Sequence, residues 1–353
     1  MAEGAVGGEA VEGSFQGISG CLMGINFPKH LVFCRAAPYY WPPIMVLFTR
    51  RFVLVVALCV LALSSRAAPL AKHVFIISLD GGKPAAIERS QMPALKRLVA
   101  EGAHTWTANT IFPSMTLPGH TSMLTGVGPE KHQILWNGWV PTNGVVRVPT
   151  VFSEAKRAGF STAMFVGKEK FCHLLLPNSV DKFDYNGTVA SRVIKSDNGD
   201  VKVKPGETSL AEQVAQDAAN YIVQYKPSLC FIHFADPDVV GHKSGWDSPE
   251  QLKAFAKTDA ALKVILKAIR KAGITEETVV IISADHGGHG KVHGTKSPED
   301  MHIPWIAWGK GVKPGFTITA PVTTCDTTAT ALWLLNVPCP ASLDGQPVTS
   351  AFQ

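Results

Sequence analysis

The stretch Thr278–Gly294, TVVIISADHGGHGKVHG, constrains the fold more than any other. Thr278 to Ala284 reads as a buried strand, and strands apolar along their length belong in the middle of a covered parallel sheet. The run stops abruptly in Asp285 and His286, and a glycine-rich loop follows with His289 and His293. The C-terminal ends of parallel strands open onto the crevice in which α/β proteins bind ligands. A rigid element thus delivers a carboxylate and an imidazole together to that crevice. Taken alone, the same residues also describe a strand and a polar turn, with Gly287, Gly288 and Gly290 reversing the backbone. Matching ligands at other strand ends decide between the two readings.

Such ligands are present. His73–Leu79, HVFIISL, is a short apolar run that ends in Asp80, Gly81 and Gly82. Ser228–Phe234 is another, running directly into a turn with Asp236, Asp238 and His242. The four-residue step to His242 favours Asp238 over Asp236 as its partner. Three strands ending this way in one parallel sheet bring their ligands to one edge. Carboxylates mixed with imidazoles suit a pair of zinc, manganese or iron ions better than one calcium. Within Asn109–Gly126, NTIFPSMTLPGHTSMLTG, Pro118 marks a helix starting at Thr116 and ending at Gly126. A helix N-terminus suits a phosphate or oxyanion. Thr116 is therefore the candidate nucleophile, since coordination to a metal is one of the few ways to activate a threonine hydroxyl. Ser114 and Thr121 are its rivals. His289 competes with His293 as a ligand, whereas His120, His132 and His302 read as structural. Trp136 and Trp139 either line the pocket or belong to the core.

Further strands are expected at Ser161–Val166 and Ile303–Trp308, with helices at Met92–Glu101, Val151–Ala158, Thr208–Tyr225, Ser248–Ala272 and Thr324–Leu335. The fold class is α/β: a central, mostly parallel sheet with helices on both faces. The charged, Gly- and Pro-punctuated segment 195–207 reads as a surface loop or hairpin, part of a short cap near 185–207. A formal charge of +5 without a block of like charges excludes a nucleic-acid stripe and a polybasic membrane patch. Residues 45–70 read as a secretory signal: Arg50 and Arg51, an apolar run Phe52–Leu63, then small residues at Ser65–Ala68. The apolar run is shorter than the roughly 20 residues that span a bilayer. The expected location is secreted or periplasmic, the alternative a membrane anchor at 52–65. Residues 1–44 show no periodicity and are expected to lie outside the fold or upstream of the true start. Four cysteines follow the signal, and Cys325 and Cys339 form a candidate bridge, whereas Cys230 reads as a buried thiol.

Taken together, these motifs resemble the type I phosphodiesterases and nucleotide pyrophosphatases of the alkaline phosphatase superfamily, over residues 72–340. The resemblance implies a single alkaline-phosphatase-like domain, here 71–353. It implies that Asp80, Thr116 in TLPGH, Asp285 and His286 share one metal, and that Asp238, His242 and a late histidine, His293, hold the other. Zinc is the family's usual ion. It implies that Asn137 in LWNGW helps to hold a phosphate oxygen. The implied activity is hydrolysis of small phosphodiester or nucleotide substrates through a phospho-threonine intermediate. Two departures are visible: Gly119 replaces the asparagine of the P-N-H motif, and His293 follows the Asp-His pair closely, as in the compact phosphomutase and phosphonate-hydrolase branches. A phosphomonoesterase or phosphonate hydrolase on the same scaffold is therefore the alternative. A metal-binding protein without turnover is the rival from another class. The Cys/Ser-x-Pro-x-Arg signature of sulfatases is absent at Thr116–His120.

Overall fold

The computed structural model describes residues 70–185 and 210–353, with only the backbone of 188–189 between them. Its strands in chain order are β1 (His73–Leu79), β2 (Ala103–Asn109), β3 (Thr162–Val166), β4 (Lys182–Tyr185), β5 (Thr188–Val189), β6 (Leu229–Phe234), β7 (Thr278–Ser283), β8 (His302–Gly309) and β9 (Phe316–Thr317). They form one sheet in the order β5-β4-β3-β6-β1-β7-β8-β2-β9. β1 lies between β6 and β7 and runs parallel to both, with Val74 beside Leu229 on one side and Val279 on the other. β3 and β4 continue the parallel part beyond β6. On the other side β8 pairs antiparallel with β7, and β2 antiparallel with β8.

Successive side chains of a strand point to opposite faces. Phe75, Ile77 and Leu79 of β1 therefore join Ile232 and Phe234 of β6 and Ile282 of β7 in one apolar layer. Helices α2 (Pro93–Glu101), α5 (Ala211–Tyr225) and α7 (Pro249–Lys271) cover it through Leu98, Ile222 and Leu262. The short α1 (Pro84–Arg89) adds Ile87 to the same layer. Val74 and Ile76 face the other way with Phe231 and Ile281. There α3 (Thr116–Thr125), α4 (Val151–Arg157) and α8 (Asp326–Leu334) supply Leu117, Phe152 and Leu332. All seven residues of β1 are buried. Two-sided burial is why the central strands read as continuous apolar runs instead of alternating ones.

Two expectations need correction, and one strand goes unread in the sequence. Residues 236–244 form a helix, α6 (Asp236–Ser244), where the sequence reads as a turn; Pro237 stands in its first turn, where the missing N–H costs nothing. β2, AHTWTAN, carries no apolar run, is only partly buried, and forms because β8 offers it an edge. Cys325 and Cys339 are free thiols, the first buried and the second exposed, so the candidate bridge is not made. The expected signal at 45–70, the segment before it and most of the cap near 185–207 lie outside the described residues. Among the described residues no helix is long and apolar enough to cross a membrane.

Candidate metal centre

The three central strands deliver ligands side by side. Asp80 follows β1, Asp285 and His286 follow β7, and α6 starts two residues after β6. Residues four apart on a helix share a face, so Asp238 Oδ1 and His242 Nε2 come within 3.4 Å. One ligand atom from each of Asp80, Asp285 and His286 lies within 4.8 Å of the others, and the same is true of Asp238, His242 and His293. His286 Nε2 is 3.2 Å from Asp285 Oδ2 and 3.5 Å from Asp80 Oδ1. His293 Nε2 is 3.1 Å from His242 Nε2 and 3.7 Å from Asp238 Oδ1. The two triads adjoin, because the His286 and His293 rings stack with centroids 3.7 Å apart.

The donor set fits divalent metal. Nδ1 of His242, His286 and His293 each donates to a backbone carbonyl, that of Lys291, Gly287 and Ser114 respectively. A carbonyl only accepts, so in the neutral form of each ring Nε2 is the nitrogen that presents a lone pair to the site. Lone pairs on His242 and His293 thus face each other. Asp80 Oδ1, Asp238 Oδ1 and Asp285 Oδ2 are buried and accept no hydrogen bond among the described residues. Their sister oxygens are tied from behind: Asp80 Oδ2 by His233 Nε2 at 2.8 Å, Asp238 Oδ2 by Lys168 Nζ at 2.5 Å, and Asp285 Oδ1 by the Gly81 N–H at 3.2 Å. Buried carboxylates aimed at imidazole lone pairs are costly without a cation, and this mixed oxygen and nitrogen set suits zinc or a similar ion.

Burial works to raise the pKa of Asp80, but the Lys168 ammonium and the His233 hydrogen bond hold it well below the usual carboxylate range. Asp285 goes the other way, raised by burial and by the Asp80 charge beside it. Burial, helped by His293, pushes His286 down to about 4, so its ring is neutral near pH 7. Lys168, Lys170 and His233 are the participants that sequence reading misses. Lysines just past the end of β3 look like a solvated turn. The available signals are that β3 opens on the same crevice and that His233 interrupts an apolar strand.

Thr116 is the first residue of α3 and only 1% exposed. Its Oγ1 is 3.4 Å from His286 Nε2. Asn137 Oδ1 accepts the Leu117 N–H at 2.8 Å and Lys170 Nζ at 3.2 Å, which leaves its amide N–H groups as the remaining donors. Burial and neighbouring Lys168 lower the pKa of Lys170 to about 8. Gly119 permits a close approach: a Cβ there would stand 2.7 Å from the Asp285 carbonyl oxygen. The rival residues are engaged elsewhere. Asp236 accepts the Ala211 N–H at the start of α5, and His289 bonds Asp300 at 2.7 Å. Ser114 donates to the Thr295 carbonyl, and Thr121 to that of Leu117 inside α3. His120 bonds Ser78 and the Thr116 carbonyl, and His132 bonds Ser122. Trp136 and Trp139 are partly buried, pack against the core and contact the His173 ring.

The chain is similar to known proteins in both sequence and fold. An uncharacterized pyrophosphatase/phosphodiesterase of Schizosaccharomyces pombe is 26% identical over 233 residues, 61% of this chain and 44% of that protein. Ectonucleotide pyrophosphatase/phosphodiesterase family member 3 of Mus musculus is 25% identical over 224 residues, 61% of this chain and 24% of that protein. The chain therefore spans less than half the length of these relatives. In fold it resembles murine ectonucleotide pyrophosphatase/phosphodiesterase 5, solved as an inactive variant in complex with AMP, with a TM-score of 0.64 at 15% identity over 80% of this chain and 100% of that one. The sequence pattern of one family runs over residues 74–293, from the first residues of β1 through the last histidine of the second triad. The chain belongs to the type I phosphodiesterase / nucleotide pyrophosphatase family.

Proposed function

We propose that this chain is a hydrolase of small phosphodiesters or nucleotide pyrophosphates, with Thr116 as its nucleophile and two divalent cations, zinc by preference, as its cofactors. Asp80, Asp285 and His286, with the Thr116 hydroxyl, would hold one ion; Asp238, His242 and His293 would hold the other. The observation that carries this reading is the convergence of three imidazole lone pairs and three unbonded carboxylate oxygens beside a buried threonine hydroxyl. When bound, such ions neutralise charge on the phosphoryl oxygens and lower the pKa of a coordinated hydroxyl.

The chain's own residues do the rest. Thr116 gives up its hydroxyl proton as Oγ1 attacks phosphorus in line, and the bond to the leaving oxygen breaks; that oxygen departs with the electron pair and takes up a proton, leaving as an alcohol or phosphate. A water oxygen then attacks the phospho-threonine, the P–Oγ1 bond breaks, and one water proton restores the Thr116 hydroxyl while the phosphate product leaves. The Asn137 amide N–H groups, oriented by the Leu117 N–H and Lys170, are the donors for a phosphoryl oxygen. A nucleotide as substrate is supported by the names of the relatives and by the AMP complex of the similar structure. Export is supported by the leader-like residues 45–70, with the relatives named as ectoenzymes.

The test compares bis(p-nitrophenyl) phosphate with p-nitrophenyl phosphate, with and without a chelator. The expected result is faster diester hydrolysis that chelation abolishes. Preference for the monoester would favour a phosphomonoesterase, and hydrolysis of neither by the metal-loaded protein would leave a binding protein. Thr116→Ala is expected to abolish turnover while leaving metal content nearly intact, since three other ligands remain. A variant retaining more than about a tenth of the wild-type rate would exclude Thr116 as nucleophile.

A further inference from the structure

Each triad contributes one carboxylate to the same lysine. Lys168 Nζ lies 2.6 Å from Asp80 Oδ2, in the first triad, and 2.5 Å from Asp238 Oδ2, in the second. Its side chain is 12% exposed, so little solvent screens it, and it rises from the residues just past β3, outside every strand end that supplies a ligand. The oxygens it bonds are the sisters of Asp80 Oδ1 and Asp238 Oδ1, which stand without hydrogen bonds. Lys168 therefore does two opposite things. It holds two like-charged carboxylates together and fixes which oxygen of each points into its triad. It also places a positive charge within a few ångströms of both positions that a dication would take. Charge repulsion extends over that whole distance, whereas the orienting hydrogen bonds act only at contact.

We propose that Lys168 is the internal cation of this centre, which pre-aligns the carboxylates of both triads and opposes the filling of either, so that occupancy at one site is coupled to occupancy at the other through one ammonium group. This rests on the reading of the triads as metal sites. Its consequence is that removing the charge tightens metal binding at both triads, contrary to what loss of an ordinary supporting residue does. It also weakens the protein without metal, because Asp80 and Asp238 lose their shared counter-charge.

The experiment is calorimetric titration of the chelator-stripped full chain with zinc ions, alongside its thermal unfolding with and without zinc, for wild type, Lys168→Met, Lys168→Gln and Lys168→Arg. Lys168→Met is expected to bind zinc roughly tenfold or more tightly than wild type, to melt lower without zinc, and to gain more in Tm when zinc is added. Lys168→Arg, which keeps the charge, is expected to stay near wild type. Should Lys168→Met not fold, Lys168→Gln, which keeps a donor without the charge, decides in the same way. Unchanged or weaker zinc binding in the neutral variants, with two ions still bound by wild type, overturns the role of Lys168 and leaves the metal reading standing. Wild type that binds no zinc overturns the metal reading itself.

Discussion

At the residue scale, the glycine of TLPGH has a steric reason. Gly119 packs so closely on the strand end that a Cβ would meet the Asp285 carbonyl oxygen at 2.7 Å and its Cβ at 3.2 Å. Helix α3 and the Asp285 backbone are both fixed by their own hydrogen bonds, so neither yields cheaply. Gly119→Ala is expected to cost about 1–3 kcal/mol, the usual penalty for overpacking, and to lower metal content by displacing Asp285. Denaturant unfolding and metal analysis of the variant check both; full stability with full metal content would sink the steric account. A second residue sets an acid limit on stability. His132 is 3% exposed, accepts the Ile134 N–H on Nδ1 and lies 3.0 Å from Ser122 Oγ through Nε2. Burial lowers its pKa to about 4, so the neutral ring is the native form. Its contribution is present above the unfolded value of about 6.5 and is lost as pH falls from there through about 4, a loss of up to about 3 kcal/mol. His132→Asn, which keeps the acceptor for Ile134 and does not titrate, is expected to flatten the stability curve in that window.

At the element scale, α2 shows how one helix depends on another far away in sequence. Its N-cap residue, Met92, supplies no capping side chain. The buried Asp259 of α7 does so instead, accepting the Ala94 and Leu95 N–H groups at 3.1 and 2.8 Å. A carboxylate at a helix N-terminus is favoured by the free N–H groups and the helix dipole. Asp259→Ala strands two buried donors and is expected to cost about 1–3 kcal/mol. Asp259→Asn, which keeps one acceptor, is expected to cost less, with zinc content unchanged in both. Denaturation midpoints rank the two variants, and equal loss in both would rule out capping as the cause.

Taken whole, the molecule buries three carboxylates, Asp80, Asp238 and Asp285, close together beyond the C-terminal ends of its central strands. A ligand that binds only the folded chain stabilises it by mass action, about 2.7 kcal/mol when present at a hundred times its Kd. Chelation is therefore expected to lower Tm and re-addition of zinc to restore it. A Tm indifferent to both would remove the ions from the stability of the fold.

The central strands are legible in the residues alone, because burial on both faces demands apolar runs that no surface element needs. Asp80, Asp285 and His286 are legible as candidates because they follow those runs directly, and the four-residue step singles out Asp238 beside His242, although the helix that puts the two on one face does not show in the residues. The rest follows from how the chain packs. Strand order put β6, β1 and β7 side by side, and so turned three separate endings into two adjoining triads. It brought Lys168 and His233 to the sister oxygens, set His293 beside Asp238 and His242 while His289 bonds Asp300, and gave β2 a partner despite its mixed sequence. These outcomes depend on which groups meet across stretches of chain from 51 residues upward, and local periodicity carries no information about such meetings.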